Sequence, residues 1–195
     1  MYQAIVFLPL LGFLIAGLFG RQLGARPSEL VTTSLLFISA ALAWTTFIQV
    51  GYGHAPMNVP VVANWISSGT LKVDWALRVD TLTSVMLIVV TSVSALVHLY
   101  SIGYMDEDEG YNRFFAYISL FTFSMLMLVM SNNMLQLFFG WEAVGLVSYL
   151  LIGFWFNKPT AIFANMKAFL VNRVGDFGFI LGIGLIAAYA GTLNY

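Results

Sequence analysis

Charged residues divide the chain into long apolar blocks. Residues 1–20 carry no charge, 30–71 and 81–105 carry none apart from His54 and His98, and 114–156 carry one, Glu142. A membrane-spanning helix needs about 20 mostly apolar residues. The blocks therefore predict six spans, over about 3–20, 30–50, 80–104, 114–131, 134–156 and 162–190, with Asn132-Asn133 breaking the longest block at a tight turn. Between Asn58 and Asp80 the period changes. Leu71, Val73, Trp75, Leu77 and Val79 alternate with Lys72, Asp74, Ala76 and Arg78, the period of a half-buried strand. With Val59–Ile66 before it and Ser67-Ser68-Gly69 between, this predicts a β-hairpin over about 58–80. Membrane-barrel strands are a poor alternative, because the apolar runs are long and do not alternate. No Lys or Arg precedes Arg21, so the first block reads as a retained helix rather than a cleaved signal. The expected fold is an all-α membrane protein of about six transmembrane helices with a small extracytoplasmic β-hairpin between the second and third.

Composition strengthens this reading. Of 195 residues, 60% are hydrophobic and 9% charged, against about 25% charged in an ordinary soluble domain. That excludes a soluble globular enzyme and a disordered chain, and names the lipid bilayer as a partner. A net charge of −1 offers no basic patch to nucleic acid. Without cysteine there is no disulfide, thiolate zinc site or iron–sulfur cluster, and no cofactor is expected in this chain. The loops at 21–29, 105–113 and 157–161 hold Arg21, Arg26, Arg113 and Lys158, against Lys72 and Arg78 on the hairpin side. The positive-inside bias then places the N-terminus and hairpin outside and the acidic 105–113 loop in the cytoplasm.

Four ionisable residues fall inside predicted spans: Glu142, Lys167, Arg173 and Asp176. Each costs about 2.5–3.5 kcal/mol at a helix centre, which marks intramembrane charge as functional by default. Glu142 lies near the midplane, with Gly145 on nearly the same face open to a neighbouring helix. It reads as a proton-holding carboxylate on an ion pathway or, more blandly, as a protonated interhelical hydrogen bonder. Arg173 and Asp176, three apart, share a face with Asn165 and Asn172. They form either a neutralised packing pair or a polar line feeding Glu142. Lys167 points away from Asp176 about one turn from the cytoplasmic end, where it can snorkel. The third span carries a stripe of Ser84, Thr91, Ser94, His98 and Ser101, in which His98 is either a proton relay or a satisfied hydrogen bonder. Gly178 and Gly182 have the spacing of a helix-packing pair.

Several longer motifs are recognisable in order: His98-Leu-Tyr-Ser-Ile-Gly-Tyr104, Tyr111-Asn-Arg-Phe-Phe-Ala-Tyr117, Gly140-Trp-Glu-Ala-Val-Gly145, Ser148-Tyr-Leu-Leu-Ile-Gly153 and Met166-Lys-Ala-Phe-Leu-Val-Asn-Arg-Val-Gly-Asp176. Over its whole length the chain resembles the subunit L family of respiratory complex I, the proton-translocating NADH:quinone oxidoreductase. The resemblance implies an antiporter-like membrane-arm subunit that binds no redox cofactor and carries a proton half-channel, coupling quinone reduction elsewhere in the complex to proton pumping. It implies other membrane-arm subunits as partners, among them a neighbouring antiporter-like subunit. By the matched motif Glu142 is the fifth-helix glutamate whose partner is a lysine on the seventh helix, and Lys167, Arg173 and Asp176 fall on motif positions. Residues 1–110 would form the N-terminal helices and 111–195 the start of the antiporter-like repeat. Family members are much longer, so the chain is expected to be a fragment or truncated product lacking the seventh-helix lysine. The expected location is the bacterial cytoplasmic membrane rather than the mitochondrial inner membrane. The alternatives are the large subunit of an Mrp-type cation/proton antiporter, and a structural anchor that would tolerate neutral substitution of the intramembrane charges.

Overall fold

The computed structural model describes residues 1–69 and 71–195. Its elements run α1 (Tyr2–Leu23), α2 (Ala25–Phe47) continued by a π-helical turn (Ile48–Tyr52), β1 (Val61–Ser68), β2 (Leu71–Ala76), α3 (Thr81–Tyr104), α4 (Tyr111–Val129), α5 (Met134–Ile152) and α6 (Pro159–Ala190). Among the described residues six helices are long and apolar enough to cross a membrane. The expected fold class and all six spans are present.

Local chemistry sets the ends. Asp80 caps α3, its Oδ1 accepting from the Thr83 amide at 2.8 Å, and Asn133 caps α5 by accepting from the Gln136 amide at 2.8 Å. Pro159 opens α6 at its first position, where its missing N–H costs nothing. The expected 21–29 loop is different: α1 and α2 are separated by Gly24 alone. Gly24 has φ 87 and ψ −179, a backbone region open essentially only to glycine. It reverses the chain in one residue, and Pro27 falls within the first turn of α2, where proline is tolerated.

Helix α4 is central. It packs against α1, α2, α3 and α5, while α6 packs on α5. Gly140 permits the α4–α5 crossing: a Cβ there would lie 2.6 Å from the Leu128 Cα. The expected packing glycines behave otherwise, since a Cβ at Gly145, Gly178 or Gly182 would meet nothing within 4 Å in this chain. Five buried hydroxyls are satisfied one turn back: Thr32, Thr46, Thr91, Thr122 and Ser124 each donate to the carbonyl four residues earlier. Ser39 crosses to the Ile5 carbonyl at 2.6 Å. Hydrocarbon demands such internal satisfaction. The outer faces remain apolar, with Leu82, Leu96, Val174 and Phe177 exposed.

The expected hairpin forms, β1 and β2 pairing antiparallel with Val61 opposite Ala76 and Ser68 opposite Leu71, but the strict alternation does not hold: bulges shift the register of β1, Leu71 is exposed and Ala76, expected outside, is buried; residue 70 lies outside the described residues. Val73, Leu77 and Val79 point inward. Val73 packs with Ile183 and Leu193 at the end of α6. Trp65 and Trp75 meet each other and Phe139 of α5, with ring centroids 4.7–6.3 Å apart. Asn133 donates to the Asp74 carbonyl, and Gln136 accepts from the Ala76 amide. The hairpin is thus fastened over the α4–α5 turn.

At the opposite end the 105–110 and 153–158 connections interlock. Trp155 Nε1 donates to Asp108 Oδ2 at 2.9 Å, and the Gly110 amide donates to Oδ1 at 2.7 Å. The Trp155 indole and then the Gly110 amide hold the Asp108 carboxyl below its ordinary range. Arg113 donates to the Phe154 carbonyl and stacks over the Phe154 and Phe156 rings.

Candidate functional site

Helices α5 and α6 run antiparallel and meet along an aromatic seam, with Phe138 and Trp141 against Phe179 and Tyr149 against Phe169. Glu142 stands eight residues beyond the first residue of α5, and Arg173 fourteen beyond that of α6. At about 1.5 Å per residue these depths, about 12 and 21 Å from opposite ends, bring both to the middle of the bundle.

There three of the four expected residues converge. Arg173 Nη1 donates to Glu142 Oε2 in a close ion pair, and lies 3.4 Å from Asp176 Oδ2. The other Asp176 oxygen, Oδ1, accepts from Trp141 Nε1 at 2.8 Å. The guanidinium also lies over the Phe169 ring, 4.8 Å from its centroid. Side-chain exposure is 24% for Glu142, 9% for Asp176 and 37% for Arg173. The choice of buried residues on α6 is informative: of its 32 residues, Asp176 and Ile183 are the two that are buried. A helix that turns nearly all of itself outward tucks its one carboxylate against α5.

One guanidinium therefore bridges two carboxylates. With all three ionised the cluster has one negative charge in excess, so a single proton neutralises it. Arg173 can close on either acid without leaving the seam. Beside the cluster a cavity of about 430 Å³ opens between α4, α5 and α6, lined by Met125, Trp141, Gly145, Ser148, Asn172 and Asp176 among others.

The other sequence candidates fall elsewhere. Lys167 is exposed and, among the described residues, forms no ion pair. It lies eight residues beyond the start of α6, a turn deeper than expected, because the helix begins at Pro159. Asn165 is half-buried beside Gly153, and Asn172 is exposed on the cavity wall. His98 is fully buried between α3 and α4. Its Nδ1 contacts the Ser94 carbonyl at 2.8 Å, which makes it the donor, and its Nε2 meets Ser119 Oγ at 3.1 Å. Both ring nitrogens are occupied, as in the satisfied hydrogen bonder. The His98 group and the Glu142 cluster lie on different helix seams, α3–α4 and α5–α6.

Two contributors were missed in the sequence. Trp141 sits beside Glu142 and reads as apolar in the sequence, although its indole N–H is a donor that in hydrocarbon needs an acceptor, here Asp176. Glu29, assigned to a loop, is half-buried on α2 and accepts from the Tyr111 hydroxyl of α4. Glu142, whose partner the resemblance places on a seventh helix, pairs within this chain with Arg173, a pairing that needs the rotation of α6 against α5.

Comparison with known proteins bears on the whole chain. Residues 65–115 match the family model described as NADH-ubiquinone oxidoreductase (complex I), chain 5 N-terminus. Residues 131–195 match that of the NADH:quinone oxidoreductase/Mrp antiporter transmembrane region. NADH-quinone oxidoreductase subunit L of Neisseria meningitidis is 56% identical over 199 aligned residues, covering 100% of this chain and 29% of its own. NADH-ubiquinone oxidoreductase chain 5 of Arabidopsis thaliana is 55% identical, covering 94% of this chain and 27% of its own. The chain thus spans under a third of the length of these curated relatives. The fold is shared with a chain of an archaeal membrane-bound sulfane sulfur reductase, at TM-score 0.84 and 20% identity over 100% of this chain and 39% of that one. It is shared also with the Mrp complex of a Dietzia species, at TM-score 0.78 and 24% identity over 97% of this chain and 20% of that one.

Proposed function

The chain belongs to the family of antiporter-like membrane subunits that NADH:quinone oxidoreductase shares with Mrp antiporters, and from that membership we propose that it supplies the first helices of a proton-translocating membrane-arm subunit of NADH:quinone oxidoreductase. In that role it couples quinone reduction elsewhere in the complex to proton movement across the bilayer. Identities of 55–56% to subunits bearing that name support this assignment over the Mrp one; the likeness to the Mrp structure, at 24% identity, is one of fold.

The observation that carries the proposal is the Arg173 bridge between Glu142 and Asp176. In one arrangement Arg173 pairs with Glu142, while Asp176 is held by Trp141. A proton arriving at Glu142 removes that attraction and leaves Arg173 to close the 3.4 Å gap to Asp176. Departure of the proton restores the first pairing. Two packings of one side chain, exchanged by one proton, form a bistable element of the kind that links distant events. A cation brought near the cluster by the rest of the subunit would bias it. The cavity of about 430 Å³ beside Asp176 is an approach for water, and Lys167 is exposed on α6.

Arg21, Arg26, Arg113 and Lys158 at the end opposite the hairpin support an orientation with the hairpin on the outer side of the membrane. Replacing Glu142 by Gln in the intact complex is expected to abolish most gradient formation while assembly and quinone reduction persist. A normal gradient in an assembled Glu142→Gln complex would refute the role.

A further inference from the structure

We propose that Phe169 is a positioning residue for the proton step: its ring is the platform on which the Arg173 guanidinium turns between Glu142 and Asp176, and Tyr149 of α5 steadies that ring. The role rests on the proton reading of the Arg173 bridge. Phe169 and Arg173 stand four apart on α6, so they share one face, one turn apart. Helical side chains lean toward the N-terminus, which lays Arg173 back over Phe169. Its Cζ lies 4.8 Å from the ring centroid, inside the range of about 6 Å over which a cation is drawn to an aromatic face. The ring is half-buried and meets Tyr149 with centroids 5.2 Å apart and planes at 59°, so it belongs to the seam rather than to the outer face. Phe169 precedes Arg173 while Asp176 follows it, and on antiparallel α5 Glu142 lies seven residues, about 10 Å, from Tyr149 in that same direction. The aromatic pair therefore backs the guanidinium from the side away from both acids.

Two alternative pairings need a hold of this kind. When a proton on Glu142 removes its attraction, Arg173 must stay in the seam while it closes on Asp176. Its side chain is long, rotamer-rich and 37% exposed. Both carboxylate contacts run through Nη1, and Nε is buried with no hydrogen-bond partner among the described residues, so hydrogen bonds to the acids hold one corner of the guanidinium. A carbonyl or hydroxyl acceptor at the remaining edge would lock a single pose. An aromatic face attracts by its quadrupole, without a preferred direction in the ring plane, and so tolerates a small turn from one acid to the other. Leucine at this position would fill much of the same space and offer no negative face.

The test measures the initial rate of NADH-driven gradient formation in membranes bearing the assembled complex, at matched complex content. Phe169→Leu should be slower by roughly fivefold, the effect of losing a partly desolvated contact between a cation and an aromatic face. Replacing Phe169 by phenylalanines that carry one, two and three ring fluorines keeps the shape and draws electron density from the face. The rate should then fall stepwise from the wild-type value toward that of Phe169→Leu, whereas a ring that only packs would leave the fluorinated series flat. A flat series, or a wild-type rate in Phe169→Leu, would each overturn the proposal. If Phe169→Leu fails to assemble, the fluorinated series decides alone. Glu142→Gln in the same membranes separates the two levels: a normal gradient there removes the proton reading itself, and a lost gradient there with a flat fluorinated series removes only the role of Phe169.

Discussion

The ion cluster between α5 and α6 yields a quantitative expectation through a double-mutant cycle on Glu142 and Arg173. Arg173→Gln removes the only cation of the cluster. It leaves Glu142 and Asp176 as two like charges at mid-depth, with side chains 24% and 9% exposed. Arg173 and Glu142 are 37% and 24% exposed, so the cost of Arg173→Gln falls short of that for a fully buried pair and is expected at about 2–3 kcal/mol. Glu142→Gln leaves Arg173 with Asp176, already 3.4 Å away, so its cost should be smaller, about 1–2 kcal/mol. The double replacement Glu142→Gln/Arg173→Gln leaves Asp176 with its Trp141 hydrogen bond and no bridging cation to lose. Its cost should fall about 1–3 kcal/mol below the sum of the singles, the coupling expected for residues in direct contact. Equilibrium unfolding in mild detergent, followed by tryptophan fluorescence, measures all three. Additivity within about 0.5 kcal/mol would mean that the two side chains do not share their charge, and the bridged cluster would be refuted.

Other expectations follow from single contacts. Trp141→Phe keeps the aromatic seam but removes the 2.8 Å hydrogen bond to Asp176; it should cost about 1.5–3 kcal/mol and slow proton transfer in the assembled complex, and unchanged stability and rate would count against the bond. Gly140→Ala places a Cβ 2.6 Å from the Leu128 backbone and should cost about 1–3 kcal/mol by overpacking, whereas Gly145→Ala, which meets nothing in this chain, should be near neutral in the isolated chain; equal thermal shifts in the two would contradict the helix crossing. Gly24→Ala, at φ 87, should lower stability by about 1–3 kcal/mol, read as a drop in unfolding midpoint. The Asp108 carboxyl is held below its ordinary 3.8 by the Trp155 indole and the Gly110 amide. A depressed carboxyl contributes stability that is present above 3.8 and lost as pH falls through its lower folded value. The Trp155 indole N–H resonance should therefore titrate with a midpoint below 3.8, and a midpoint at or above it would show the interlock absent.

Much of this architecture was legible because hydrocarbon imposes a coarse rule. Long apolar runs must be helices, and Asn133, Asp80 and the Lys158-Pro159 step sit where helix ends need them. The hairpin was equally plain, since period two over Leu71–Val79 has no helical reading. The one-residue turn at Gly24 was not, because Arg21, Arg26 and Glu29 look like loop charge when their depth is unknown. Scarcity of charge singled out Glu142, Arg173 and Asp176, but pairing needs the rotation of one helix against another. The polar face of α6, with Asn165, Asn172, Arg173 and Asp176, does not by itself say which neighbouring helix it meets, and α5 offers only Glu142 as a charged guide. Within this chain the close crossing is made by Gly140, while Gly178 and Gly182 meet nothing in it. For His98, sequence supplied the polar stripe, and the structure adds its two partners, the Ser94 carbonyl and the Ser119 hydroxyl.

The central claim is that protons pass by the Glu142 cluster rather than by the His98 stripe. It is tested most directly by the ratio of protons moved to NADH oxidised in membranes bearing the assembled complex with Glu142→Gln or His98→Asn. The account predicts a marked fall in that ratio for Glu142→Gln and a wild-type ratio for His98→Asn. A wild-type ratio in Glu142→Gln, with the fall appearing in His98→Asn, would contradict it.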